Sequence, residues 1–264
     1  MHRNVTTLNR CCWAAFFALV VASYYYDISW MWAWIPLGAM LVLQFAAGRA
    51  PTADQTRPVE VRPPVTGRWS ALNSPADKAP SHGTHAYGQT YAIDVVAEPA
   101  GGTRPRFGWW PIMRRNRDFP AFGAPLHAVA DATVVRATDR QRDHLSRNSY
   151  PALLYLVVEG AVRELLGAHR VIGNHLVLDL GDGTFALYAH LRRGSLKVRA
   201  GDRVTAGQVL AECGDSGNSS EPHVHFQLMD RPDPAGATGV PFTWFEVGVP
   251  ANGETFSVAG PAPR

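Results

Sequence analysis

His223 and His225, in Glu221-Pro222-His223-Val224-His225-Phe226, are spaced so that a β-strand sets both imidazoles on one face, roughly 6 to 7 Å apart. Such a pair can hold or flank a metal ion, but His-x-His alone is a weak signal, and its weight depends on other ligand types in similar strand context. Two further apolar runs end that way, Tyr188-Ala189-His190-Leu191 and Tyr91-Ala92-Ile93-Asp94. By strand alternation Tyr188 and His190 share a face, with Tyr188 expected in core packing rather than as a hydrogen-bond donor to the site. Asp94 closes a run where a carboxylate is costly to bury unless a cation or hydrogen bonds meet it. The cysteines, Cys11, Cys12 and Cys213, leave no intradomain pair and exclude a cysteine-based zinc cluster, so a metal would fall to His and carboxylate. Residue pattern alone leaves two readings open: a metal centre, or a surface His-x-His with unrelated polar strand ends.

These groups need rigid strands to position them. Short apolar runs alternate with Gly, Pro, Asn and Asp clusters from about residue 67 onward, which predicts a mainly β, antiparallel fold. The candidate strands are 91–97, 126–130, 132–138, 174–180, 184–190, 208–213 and 223–229, with Asp182-Gly183 as a hairpin turn. Residues 99–120, which include Trp109 and Trp110, read as an inserted loop of ordinary loop aromatics. Residues 150–168 read as an inserted helix, with Leu154, Val158, Ala161 and Leu165 at helical spacing. That helix is apolar enough to cover a sheet or touch lipid, and covering the sheet is the expected outcome.

Residues 11–47 are apolar apart from Asp27 and carry Trp30, Trp32 and Trp34, aromatics of the membrane-interface type. The stretch exceeds the roughly 20 residues of one crossing, which predicts two linked helices, about 8–26 and 28–47. It is also longer than the apolar region of a cleaved signal peptide, the rival reading. The organisation expected is therefore membrane-anchoring helices over 1–47, a Pro-rich tether over 48–66, a domain over 67–250 with insertions at 99–120 and 139–170, and a tail over 251–264. Arginines flank the apolar stretch on both sides (Arg3, Arg10, Arg49, Arg57), so charge does not decide which side the domain faces. With 25 Lys and Arg against 22 Asp and Glu, nothing calls for a nucleic-acid partner.

An ordered series of motifs narrows the choice. It runs through Gly123-Ala124-Pro125-Leu126-His127-Ala128-Val129-Ala130-Asp131, Gly173-Asn174-His175, Tyr188-Ala189-His190-Leu191, a Val198 to Leu210 stretch with Gly201-Asp202, Val204 and Gly207-Gln208, then Gly214-Asp215-Ser216-Gly217-Asn218-Ser219 and Pro222-His223-Val224-His225-Phe226. Over about residues 82–230 it resembles the lysostaphin-type (LytM-like) zinc endopeptidases of bacterial cell walls. The resemblance implies an antiparallel sheet sandwich or half-barrel, zinc as cofactor, Asp94 and His225 as ligands, and His190 and His223 as catalytic histidines whose division between base and acid stays open. The third ligand is His82 or His85. The commonest family pattern has a His four residues before the Asp, where this chain has Thr90; one branch of the family has a longer interval, which His85 fits, and the glycine after His82 gives that residue reach. Two imidazoles and a carboxylate leave a tetrahedral zinc one position for water, whose pKa falls towards about 7.

The resemblance further implies hydrolysis of peptide bonds in peptidoglycan stems or cross-links by a domain on the outer side of the cell membrane. A non-catalytic wall-binding or regulatory module of the same fold is the alternative. The Val198 to Leu210 stretch also resembles lipoyl and biotinyl carrier domains, but Lys78 and Lys197 are the chain's lysines and neither sits in a carrier turn.

Overall fold

The computed structural model describes residues 2–48 and 57–260. The parts of the expected tether and tail at 49–56 and 261–264 lie outside the described residues. Helices α1 (His2–Tyr25) and α2 (Trp34–Gly48) form a hairpin, with the Ser29 hydroxyl accepting from the Met31 N–H at the turn. Only the Thr7–Tyr25 stretch of α1 is, among the described residues, long and apolar enough to cross a membrane. The 15 residues of α2 rise only about 22 Å at 1.5 Å each, short of the roughly 30 Å hydrocarbon core. The two expected apolar helices are present, one of span length and one shorter within the described residues.

The main sheet is built from β2 (Gly67–Leu72), β3 (Ile93–Ala97), β5 (Ala132–Thr138), β6 (His175–Asp179), β7 (Phe185–Ala189), β8 (Arg203–Val204), β10 (Val224–Met229) and β13 (Thr255–Val258). Its order is β13-β2-β3-β10-β7-β6-β5-β8, with β11 (Gly239–Val240) added alongside β10, and every neighbour is antiparallel. Two small pairs complete the β architecture: β4 (Pro125–His127) with β9 (Val209–Glu212), antiparallel, and β1 (Val59–Val61) with β12 (Phe242–Trp244), parallel. Each of the seven anticipated runs holds a strand. Val59–Val61, in the stretch expected as tether, and Thr255–Val258, in the stretch expected as tail, are both paired into the domain.

Alternation divides the sheet into two faces. Ile93 and Val95 of β3, Ala186 and Tyr188 of β7, and Phe226 and Leu228 of β10 point into the main core beneath the small pairs. Their neighbours Asp94, Leu187, Ala189, His225 and Gln227 point the other way and line an open cleft. Phe226 is fully buried and meets Tyr188, Phe242 and Trp244 at ring-centroid distances of 5.5, 5.2 and 6.0 Å.

Helix α3 (Tyr150–Leu166) starts at Ser149, whose hydroxyl accepts from the Ala152 N–H, and leads through Gly167 into the short α4 (Ala168–Ile172). It does not lie on the main core. Ala152, Leu156 and Ala161 are its buried residues, whereas Leu154 and Val158, which the periodicity assigned to the covered face, are exposed. Its inner side instead walls the cleft through Leu156, Gly160 and Glu164. Small residues permit the close approach: a methyl group at Gly160 would stand 3.0 Å from the Asn218 side-chain oxygen.

Phe226→Ala removes the central ring of this aromatic cluster and is expected to lower the unfolding free energy by about 3–5 kcal/mol. Urea denaturation followed by circular dichroism measures this; a loss under 1 kcal/mol would show that the cluster is not the centre of the core.

Candidate metal and catalytic centre

Strand register alone brings two of the site residues together: His225 on β10 stands opposite Asp94 on β3, and His225 Nδ1 lies 2.8 Å from Asp94 Oδ1. The other carboxylate oxygen, Oδ2, is met by His82 Nε2 at 2.9 Å and by the Asn73 side-chain amide at 2.9 Å. His223, one residue before β10, directs Nε2 to within 3.5 Å of Asp94 Oδ1. The rings of His190 and His223 are 4.9 Å apart, and those of His190 and His225 5.7 Å. Among the described residues two ligand sets have donor atoms close enough to share an ion, His82 with Asp94 and His225, and His190 with His223 and His225.

The tautomers are decided by what each ring does on its far side. The Ser81 hydroxyl donates to the Ala92 carbonyl at 2.6 Å, so its oxygen accepts from His82 Nδ1–H at 2.9 Å, and His82 Nε2 turns a lone pair on the carboxylate. The Gln227 amide donates to the Tyr87 carbonyl at 2.7 Å, so its oxygen accepts from His225 Nε2–H at 2.9 Å, and His225 Nδ1 also turns a lone pair on the carboxylate. Two lone pairs facing one buried carboxylate repel unless a proton or a cation lies between them. An imidazole whose outer N–H is tied to a protein acceptor is the usual arrangement of a metal ligand. The donor set therefore fits a divalent ion of the zinc type, with two neutral imidazoles and one carboxylate.

The other two imidazoles are held in the same way. His190 Nδ1–H donates to the Ser216 carbonyl at 2.8 Å, and His223 Nδ1–H to the Glu221 carbonyl at 2.7 Å, which leaves each Nε2 facing the cleft. Gly173, at φ +74°, makes room for the first of these contacts, since a methyl group there would stand 2.6 Å from the same Ser216 oxygen.

His190 departs from the expected alternation. Its φ of +58° lies in the left-handed region and turns its ring away from the Tyr188 side. Tyr188 stays in the core, where its hydroxyl donates to the His127 carbonyl and accepts from the Val129 N–H, both at 3.0 Å. The two residues thus lie on opposite faces, and Tyr188 takes no part in the site. The two residues expected as alternatives for the third ligand have different surroundings. His85 is buried against the Thr90 hydroxyl at 2.9 Å and belongs to neither ligand set, whereas His82 belongs to one. Three contributors lay outside the sequence reading. Gln227 carried a signal, two residues beyond His225 on the same strand face; Asn73, just past an unanticipated strand, and Ser81 carried none.

In the metal-free chain, where protons take the cation's place between the rings and the carboxylate, burial pushes the Asp94 carboxyl up, but the charges of His82 and His223, with hydrogen bonds from His223 and His225, outweigh it and hold the group well below the usual carboxylate range. Burial first, and then the charges of His223 and His225, hold the His190 imidazole well below its ordinary value, which makes it a neutral base. For His223 burial opposes the charge, yet the neighbouring Asp94 carboxylate prevails and raises the imidazole to about 9.

A model of Peptidase family M23 matches residues 153–236, which include His190, His223 and His225 but not His82 or Asp94. The chain is 45% identical over 58 residues to glycyl-glycine endopeptidase ALE-1 of Staphylococcus capitis, and 32% identical over 69 residues to peptidoglycan DD-endopeptidase ShyA of Vibrio cholerae. These alignments cover 22% and 26% of this chain and 16% of each relative, so the chain matches about one sixth of the length of either. The solved catalytic domain of lysostaphin from Staphylococcus simulans aligns at 22% identity over 51% of this chain and 85% of that one, with a TM-score of 0.30.

The raised His223 imidazole has a consequence for the metal-free chain. A folded value of about 9 against an ordinary 6.5 means that its stabilisation is complete below pH 6.5 and is lost as pH rises through 9. Thermal melts with chelator present should show a loss of about 1–3 kcal/mol between those limits. His223→Gln should flatten the profile; an unchanged slope in that variant would remove the His223–Asp94 pair as its cause. Residues 153–236, which span the His-x-His strand and the loop before it, are thus similar to Peptidase family M23.

Proposed function

We propose that this chain is a zinc-dependent endopeptidase that hydrolyses peptide bonds in peptidoglycan stems or cross-links. One observation carries the reading: two imidazoles with fixed tautomers turn lone pairs on one buried carboxylate, beside two more imidazoles whose free nitrogens face the same cleft. His82, Asp94 and His225 are the ligands, and His85 is a structural residue under Thr90. Zinc held there would supply Lewis acidity, activating water near neutral pH and polarising a carbonyl.

The chain's own groups divide the remaining work. His190, kept neutral by burial and with Nδ1–H tied to Ser216, presents Nε2 as the acceptor for the proton of the attacking water. His223, held by the Glu221 carbonyl with Nε2 towards the cleft, is placed to stabilise the developing oxyanion and to pass a proton to the leaving amine. The cleft, of about 570 Å³, is walled by the inner side of α3 and closed at one end by Asn9 and Trp13 of α1, a shape that suits an extended peptide.

Metal analysis of the full chain should find one zinc per molecule. His82→Ala should lose it and His85→Ala should keep it; full occupancy in His82→Ala would remove that ligand. His223→Ala should retain metal and lower the release of new amino groups from purified sacculi by about 10²–10⁴-fold. Sacculi bound but not cleaved by the zinc-loaded chain would favour a wall-binding module instead.

A wall substrate places the domain on the outer side of the cell membrane, with α1 as its anchor. Reporter fusions after Ala50 should therefore be active as an external phosphatase. A cytoplasmic signal alone would overturn the wall substrate while leaving the metal site intact.

A further inference from the structure

The outer side of α3 faces no other part of the described chain. Leu154, Val158, Val162 and Leu166 recur at four-residue spacing, all exposed. Leu154 has 71% of its surface exposed. Soluble proteins seldom leave a contiguous apolar stripe of this size without a partner.

The stripe continues into the inserted loop. Phe107 and Trp109 each pack on Tyr150, the first residue of α3, at a ring-centroid distance of 4.7 Å, and Trp110 next to them is 78% exposed. On its inner side, at Glu164, α3 meets the apolar helix α1, whose Arg10 Nε lies 3.6 Å from that carboxylate. The one helix among the described residues with the length and composition of a membrane span therefore packs on the helix that carries the exposed stripe.

Charge completes the pattern. Beside Tyr155 and Leu166 of α3 opens a second pocket lined by Arg140, Arg142, Arg147, Arg163 and Arg170, with no carboxylate in its lining. Arg147 and Arg163 are paired with Glu159, while Arg140, Arg142 and Arg170 have no carboxylate partner among the described residues. An apolar helix face rimmed by arginines and exposed tryptophans is the pattern of elements that lie in the headgroup layer of a bilayer.

We infer that the outer face of α3 and the 107–112 loop dock on the surface of an anionic lipid bilayer, with headgroup phosphates entering the pocket of Arg140, Arg142 and Arg170. Docking would hold the peptidase domain against the membrane at two places, α1 and α3. It rests on α1 being the anchor and is independent of the metal site.

The test uses the full chain carrying Cys11→Ser and Cys12→Ser, with an environment-sensitive dye attached at Leu154→Cys, at Trp110→Cys or, as a control, at Arg199→Cys in the turn before β8. Each is reconstituted into vesicles of bromine-labelled phosphatidylglycerol and phosphatidylethanolamine, and into vesicles of bromine-labelled phosphatidylcholine. The expected result is at least threefold stronger quenching at positions 154 and 110 than at 199 in the anionic vesicles, reduced at least twofold by Arg140→Glu with Arg170→Glu. Quenching at 154 and 110 no greater than at 199 overturns the docking surface, and a dye shielded from solvent without quenching assigns the face to a second copy or another protein. Equal quenching in both vesicle types overturns the preference for anionic lipid, and quenching unchanged by Arg140→Glu with Arg170→Glu overturns the phosphate pocket. Failure of the chain to float with vesicles overturns the anchor, and the docking surface with it.

Discussion

A carboxylate buried beneath the sheet's open face is an unfavourable object, and much of the site's construction compensates for it. Asp94 sits on the central strand β3 with its oxygens facing His82, His225, His223 and Asn73. Removing an ionised carboxylate from water without compensation costs far more than the whole stability of a domain. Outward from Asp94 each imidazole has its own support, from Ser81, Gln227, Ser216 and Glu221, and these supports belong to a loop, a strand and the turn-rich segment before β10. Orientation is thereby imposed before any ligand arrives, which is the condition for tight and selective metal binding.

The two faces of one sheet separate stability from chemistry. On the covered face Ile93, Tyr188 and Phe226 make an aromatic and aliphatic core with Trp244 and Phe242. On the other, Asp94, Ala189, His225 and Gln227 stand one residue away along the same strands. A shift of register by one residue would exchange the two sets, so the packing of the core also fixes the positions of Asp94 and His225. His190 is the exception that alternation could not place. It lies just past the end of β7, and its left-handed backbone brings its ring to the chemical face, at a cost of roughly 1–2 kcal/mol.

The insertions depart most from a plain sheet. Helix α3 lies over the cleft rather than the core, because its close contacts are made by Ala152, Gly160 and Ala161, and small residues let a helix approach the loop at Asn218. Leu154, Val158, Val162 and Leu166 face outward. The hydroxyl of Tyr87, whose backbone carbonyl receives the Gln227 amide, reaches Glu164 of α3, and Arg10 of α1 stands against the same glutamate. A continuous set of contacts therefore runs from the site histidine His225 to the apolar N-terminal helix.

Much was legible from residue order alone. Short apolar runs bounded by Gly, Pro, Asn and Asp clusters located the seven strands that carry or flank the site, because turn residues punctuate the segments a sheet can bury. Period-two spacing put His223 and His225 on one face, Asp94 stood at the end of such a run, and the lack of a usable cysteine pair left metal binding to His and carboxylate. Three outcomes were decided only by tertiary structure. The loop before β3 swings His82 towards Asp94 and buries His85 against Thr90, a matter of loop conformation that spacing does not encode. The face of α3 that meets the protein was read from hydrophobicity and settled by size, since close packing selected the alanines and glycine over the leucines. The strands at Val59–Val61 and Thr255–Val258 are short edge elements whose partners lie far away in the chain, so their pairing energy is non-local and leaves little trace in a local pattern.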